Sequence, residues 1–128
     1  MHEVNATREI ERIAGVNPGK CMRCGKCTAS CPINNEMEIH PHKVVAMVAD
    51  GDVEGLANCS TLWRCLSCFT CVERCPRDVK PANVIEAVRL WQIRKSGENH
   101  MPPSEIPALL DDELPQQAIV AAMRKYNK

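Results

Sequence analysis

One run of residues occurs twice in this chain and restricts everything else. CMRCGKCTASCP occupies Cys21 to Pro32 and CLSCFTCVERCP occupies Cys65 to Pro76, and both read C-x-x-C-x-x-C-x-x-x-C-P. Three thiols spaced by two residues can meet three irons of one cube from a single tight loop, which is the ligand spacing of bacterial-type [4Fe-4S] clusters. In two-cluster proteins the fourth cysteine of each run ligates the other cluster. The expectation is therefore two [4Fe-4S] clusters, one held by Cys21, Cys24, Cys27 and Cys75 and the other by Cys65, Cys68, Cys71 and Cys31. Such a crossing ties the two halves of the chain together.

Zinc and disulfides are the competing uses of nine cysteines in 128 residues. Zinc takes paired C-x-x-C knuckles from separate turns, and a triple followed by an offset C-P, present twice, does not fit that pattern. A secreted disulfide framework would follow a basic stretch and an apolar stretch, which MHEVNATREIERIAG lacks. Thiolates kept reduced for iron then point to the cytoplasm. No apolar run approaches the roughly eighteen residues of a membrane span. Sixteen basic against sixteen acidic residues leave no electrostatic footprint for nucleic acid. The same neutrality protects poorly against association, which favours a component of a complex over a free carrier.

The segments around the runs carry helix signals. Ile10, Ile13 and Ala14 predict a short helix over residues 4 to 14, with Asn5 or Thr7 as cap and Gly15 as stop. Pro41 opens a second helix with Val44, Val45, Met47 and Val48 before Gly51, and residues 51 to 64 read as a turn and helical pieces. Pro81 opens the most periodic segment, with Val84, Val88 and Trp91 in one stripe, Arg94 and Lys95 in the last turn, and Gly97 as stop. PHKVVAMV from Pro41 aligns with PANVIEAV from Pro81, so "four cysteines, proline, link, apolar helix" is the repeated unit. A βαβ-type ferredoxin would place an alternating strand after each C-P, and no such alternation is present. The fold class expected is all-α, with a di-cluster domain over residues 1–98. Pro102, Pro103, Pro107 and Pro115 make residues 99–128 an extended arm that ends in a short helix with Ala118, Ile119, Ala122 and Met123 on one face.

Around the runs, Lys20, Arg23, Lys26, Arg64, Arg74, Arg77 and Lys80 bring positive charge toward anionic clusters, which favours their reduced state. The competing reading is a solvated surface. Gly25, between ligands, suits a backbone of positive φ. Cys59 reads as a buried inert thiol, His40 and His42 as polar caps beside Pro41, Trp63 and Trp91 as packing residues, and Met22 as a cluster shield. No glycine-rich nucleotide loop, telling carboxylate pair or adjacent cysteine pair suggests a substrate site.

LWRCLSCFTCVERCPRDVKPANVIEAVR, preceded by CMRCGKCTASCP, resembles the C-subunit of heterodisulfide reductase over roughly residues 7 to 97. The double C-P motif is shared by many iron-sulfur subunits, including those of succinate dehydrogenase and glycolate oxidase; the W-x-C-x-S-C-x-T-C-x-x-R-C-P-R wording is more specific. The resemblance implies an α-helical ferredoxin fold and a non-catalytic electron relay within an obligate hetero-oligomer. In that family electrons pass from a flavin-containing A-subunit to a B-subunit, which reduces the mixed disulfide of coenzyme M and coenzyme B. The alternatives are a free two-cluster ferredoxin, the iron-sulfur subunit of another oxidoreductase, and a zinc-bound interaction module. Metal analysis of the purified protein is expected to return iron and acid-labile sulfide in the amount of two four-iron clusters per chain; stoichiometric zinc without sulfide would overturn the reading.

Overall fold

Each cysteine run folds as a loop, one short helix and a link to a proline-led helix, and the two copies face one another. The structure is a computed structural model that describes residues 2–93, 104 and 106–126. Its helices are α1 (His2–Ala14), α2 (Lys26–Ser30), α3 (Pro41–Asp50), α4 (Glu54–Ala57), α5 (Thr61–Arg64), α6 (Thr70–Arg74), α7 (Pro81–Ile93), α8 (Ile106–Leu109) and α9 (Gln116–Tyr126), with single 3-10 turns at Pro18–Lys20 and Asn34–Glu36. There is no strand among the described residues. The chain divides into two units, residues 1–93 and 94–128, and the second holds α8 and α9. Arg94, Lys95, Gly97, Pro102 and Pro103, on which helix-end and arm signals rest, lie outside the described residues.

The proline-led helices start and stop as their residues dictate. Proline fixes φ near the helical value and lacks an amide that the first turn leaves unbonded anyway, so Pro41 and Pro81 begin α3 and α7. Gly51 ends α3 in the left-handed conformation, φ 89, while the Gly51 and Asp52 amides close onto the carbonyls of Val48 and Met47. Gly15 does the same for α1 at φ 68. At its other end α1 begins at His2, so Asn5 and Thr7 are interior rather than caps. HEVN contains neither glycine nor proline to stop a helix propagating backward. Thr7 instead donates its hydroxyl to the Val48 carbonyl at 3.3 Å, linking α1 to α3.

Burial follows the apolar stripes. Ala6, Ile10 and Ala14, four residues apart, form the inner face of α1. They meet Val44, Val45 and Val48 of α3, Val84, Ile85 and Val88 of α7, and Leu56 and Leu62 from α4 and α5. Like packs on like: α3 lies against α7 and α2 against α6. This pairing of equivalent elements marks a pseudo-two-fold relation between the halves. Cys59 is 5% exposed within the core, as an inert thiol would be. Trp91 packs against the core, but Trp63 is 58% exposed and lies under the Arg89 guanidinium at 5.9 Å. Thr61 and Leu62 take the inward positions of the one-turn α5, which leaves Trp63 on its outer side.

Two polar contacts brace the entry to the second run. Arg89 of α7 donates to the carbonyls of Leu62 and, at 2.8 Å, of Cys65, satisfying the end of α5 where no further turn exists. Thr61, wholly buried, accepts the Ile39 amide at 2.7 Å and so holds the link that precedes α3. Thr61→Val removes that acceptor at nearly constant volume. It is expected to cost about 1–3 kcal/mol, read as a lower guanidinium midpoint with unchanged slope, while Thr61→Ser retains most of the stability.

Candidate iron-sulfur sites

The cysteines of the two runs are redistributed by the fold into two quartets. One small cavity is ringed by Cys21, Cys24, Cys27 and Cys75. A second is ringed by Cys31, Cys65, Cys68 and Cys71. Each takes three cysteines from one loop and one from the C-P of the other half. The remaining walls are also exchanged: α3 gives His42 and Val45 to the first cavity while its leading Pro41 borders the second, and α7 gives Ala82 and Ile85 to the second while Pro81 borders the first. All nine cysteines are free.

The loops reach this geometry through left-handed backbone at matched positions. Arg23 and Ser67, each preceding the second cysteine of a run, have φ of 56 and 52. Gly25 and Phe69, each following it, have φ of 75 and 61 and stand at the N-caps of α2 and α6. A glycine accepts this conformation freely, whereas Phe69 holds it at a cost of about 1–2 kcal/mol. The reversals turn backbone amides toward sulfur. The Arg23 amide donates to Cys21 Sγ at 3.3 Å and the Val79 amide to Cys75 Sγ at 3.4 Å. Cys68 Sγ and Thr70 Oγ1 are bonded at 3.4 Å; with a thiolate the hydroxyl is the donor.

These surroundings separate the thiols. Cys24 and Cys68, the middle cysteines, are exposed, while Cys27 is buried and Cys71 half-buried. Burial pushes the Cys71 thiol up to about 11, partly offset by the Ala82 amide, with further upward contributions from Cys65, Cys27 and Cys68. Burial also raises Cys27, against the lowering effect of the Thr28 hydroxyl and amide. Hydrogen bonds from Thr70 lower Cys68. Cys27 lies in α2 and Cys71 in α6, which pack together, so the quartets adjoin on their inner side and reach solvent through Cys24 and Cys68.

Four soft thiolate donors around a cavity suit an iron-sulfur cube. A single zinc ion would need four sulfurs about 2.3 Å from one point, and among the described residues no three Cys, His, Asp or Glu converge on one ion. The charged residues flanking the runs divide unequally. Arg23 is paired with Asp50 at 3.0 Å and Arg64 with Glu36 at 3.5 Å. Arg77, adjacent in sequence to the second run, lines the first cavity. Met22 also lines it, although 57% exposed. His40 caps α3 without a side-chain bond, and its buried Nδ1 has no partner. His42 is no cap either: its Nδ1 bonds Thr28 Oγ1 at 2.6 Å beside the first cavity. Thr28 stands beside the first site although the motif does not announce it; the one signal for it is its contrast with Val72 in the aligned repeat.

A chain with two such quartets on a strandless scaffold is a two-cluster iron-sulfur protein. Residues 20–80 match the 4Fe-4S dicluster domain, and the chain carries two [4Fe-4S] clusters. It is 38% identical over 89 residues, 70% of this chain and 47% of the relative, to the C2-subunit of the H(2)/formate:CoB-CoM heterodisulfide,ferredoxin reductase of Methanococcus maripaludis. It is 39% identical over 54% of this chain and 37% of the relative to the second iron-sulfur C-subunit of the CoB--CoM heterodisulfide reductase of Methanocaldococcus jannaschii. Identity is 30% over 70% of this chain and 36% of the relative for the C-subunit of the ferredoxin:CoB-CoM heterodisulfide reductase of Methanosarcina acetivorans. The chain is similar to these heterodisulfide reductase C-subunits and spans less than half of their length.

Cluster binding must be linked to pH. In the iron-free fold Cys71 is neutral below about 11 and Cys27 is raised as well, whereas a bound ligand is a thiolate, so protons leave on binding. Affinity therefore rises with pH and falls as pH drops. Loss of the brown absorbance to an iron chelator is expected to be faster at acidic than at alkaline pH; a rate independent of pH would contradict the linkage.

Proposed function

We propose that this chain is an electron-relay subunit of a heterodisulfide-reductase-like complex. In it Cys21, Cys24, Cys27 and Cys75 hold one cluster, and Cys65, Cys68, Cys71 and Cys31 hold the other. The observation that carries this reading is the order of the thiols through the fold. An exposed cysteine, Cys24, leads to the buried Cys27 on α2, which packs against α6 and its Cys71, and that quartet surfaces again at Cys68. A cube exchanges one electron without rearranging its ligands, so two in series carry charge across the protein while the amides of Arg23 and Val79 stabilise the thiolates.

Both exits are rimmed by apolar side chains. Met22 is 57% and Leu66 64% exposed at matched positions, and Phe69 adds to the second rim. Such surface next to a redox centre favours a subunit held in company over a freely diffusing ferredoxin. The relatives are named as reductases of the CoB-CoM heterodisulfide, and that disulfide is the final acceptor in this reading. Electrons from a flavin-containing protein like the A-subunit pass through this chain to a protein like the B-subunit, which reduces it. The disulfide is cleaved on that partner, since this chain has no adjacent cysteine pair to receive it. The work is set in the cytoplasm, where thiols stay reduced. Residues 1–98 act as the di-cluster domain and residues 99–128 as an arm that docks on a partner.

Two tests separate the parts of this reading. Affinity purification from the native host is expected to bring down a cysteine-rich reductase protein, and a monomer fully active with soluble donors would overturn the assignment to a complex. Cys31→Ala is expected to remove the cluster nucleated by the second run and to spare the first; EPR and Mössbauer spectra with the reverse loss would sink the crossed ligation. Cys59→Ala leaves both cubes in place.

A further inference from the structure

The two cavities are built from equivalent residues and differ at a few positions. At the position of His42 in the first cavity, α7 places Ala82 in the second. Arg77, after Pro76, corresponds to Ile33, after Pro32. Thr28, beside the first cavity, corresponds to Val72. In the opposite sense, the second run has Thr70 on Cys68 where the first has Lys26.

The relay has a defined sense. Thr28 Oγ1 accepts the His42 backbone amide at 3.2 Å and is bonded to His42 Nδ1 at 2.6 Å, and its hydroxyl and amide both favour the thiolate of Cys27. In the tautomer with a proton on Nδ1, His42 donates to Thr28 Oγ1 and leaves the Thr28 hydroxyl proton for the adjacent Cys27 thiolate. The second site is not without donors, since Thr70 bonds Cys68 and the Ala82 amide faces Cys71. The first has its own such bonds, from Arg23 to Cys21 and Val79 to Cys75, so these roughly balance. The imidazole relay and the guanidinium remain as the excess. Reduction adds negative charge to a cube; donors and cations stabilise that form, and apolar walls disfavour it.

We propose that the clusters are unequal, with His42, acting through Thr28, and Arg77 making the cluster of Cys21, Cys24, Cys27 and Cys75 the easier to reduce. This rests on the crossed ligation of the relay reading. One electron leaves the second-run cluster as one enters the first-run cluster, so transfer within the chain runs downhill from the Cys68 edge to the Cys24 edge. His42 is a positioning residue, not a ligand.

The test is an EPR-monitored redox titration of the two-cluster holoprotein. The wild type is expected to show two separate potentials. His42→Ala and Arg77→Ile should each lower the upper one, by about tenfold in its reduction equilibrium or about 59 mV for a one-electron couple, and leave the lower one in place. Thr28→Val should reproduce His42→Ala, with the double variant no worse than either, and His42→Gln, which retains a donor, should recover part of the shift. The reciprocal variant, Ala82→His with Val72→Thr, should raise the lower potential and reads the inference even if His42→Ala does not fold. Coincident wild-type potentials, or a His42→Ala shift confined to the lower one, would overturn the ordering. Because the titration needs no partner and no disulfide substrate, that result leaves the relay reading to the spectra of Cys31→Ala and to co-purification.

Discussion

The exchange of Cys31 and Cys75 between the halves is the constraint on which the rest of the structure depends. Each cavity is completed by a sulfur that its own loop cannot supply, so neither half makes a four-thiol site alone. The exchange requires α2 to lie against α6 and α3 against α7, and the fold packs these equivalent pairs together. The core between them is aliphatic, with no aromatic ring among the fully buried residues described. In a small metallodomain the binding of the metal group is itself folding free energy, and under the proposed crossed ligation that energy acts at the interface between the halves.

The loops show what such a site demands of a backbone. Two left-handed residues per loop let amides point at sulfur, and in the first loop one of them is a glycine. In the second, Phe69 tolerates the same conformation, and its ring becomes part of the cavity wall and of the exposed rim. Strain, shielding and docking surface are thus combined in one side chain. The first loop has the permissive residue and a more polar wall. The pseudo-symmetry fixes where the sites lie, and departures from it make them differ.

Much of the fold is legible in the sequence because its signals are local. The prolines at 41 and 81, the glycines at 15 and 51, and the valine stripes each act within a turn or two of their own position, and the helices begin and end accordingly. Direction and partnership are harder to read. Trp63 has the makings of a core residue, but Leu62 takes the inward face, and Thr7 has the makings of a cap, but α1 extends past it to His2. Arg77 follows one run and lines the opposite cavity. His42 sits where a cap would, yet it bonds Thr28, fourteen positions earlier in the chain.

The sequence by itself determined the chemistry: soft thiols at fixed short spacing, written twice, admit iron-sulfur cubes and little else, and its wording marks the family. Helical class followed as well, since the periodicity after each C-P is a property of neighbouring residues. Only the tertiary structure decided which cysteines face solvent, which other side chains wall each cavity, and which wall is polar. Those depend on contacts between residues far apart in the chain, such as Cys75 beside the loop of Cys21 or Arg89 on the carbonyl of Cys65. Spacing along a chain has no term for such meetings until the helices have packed.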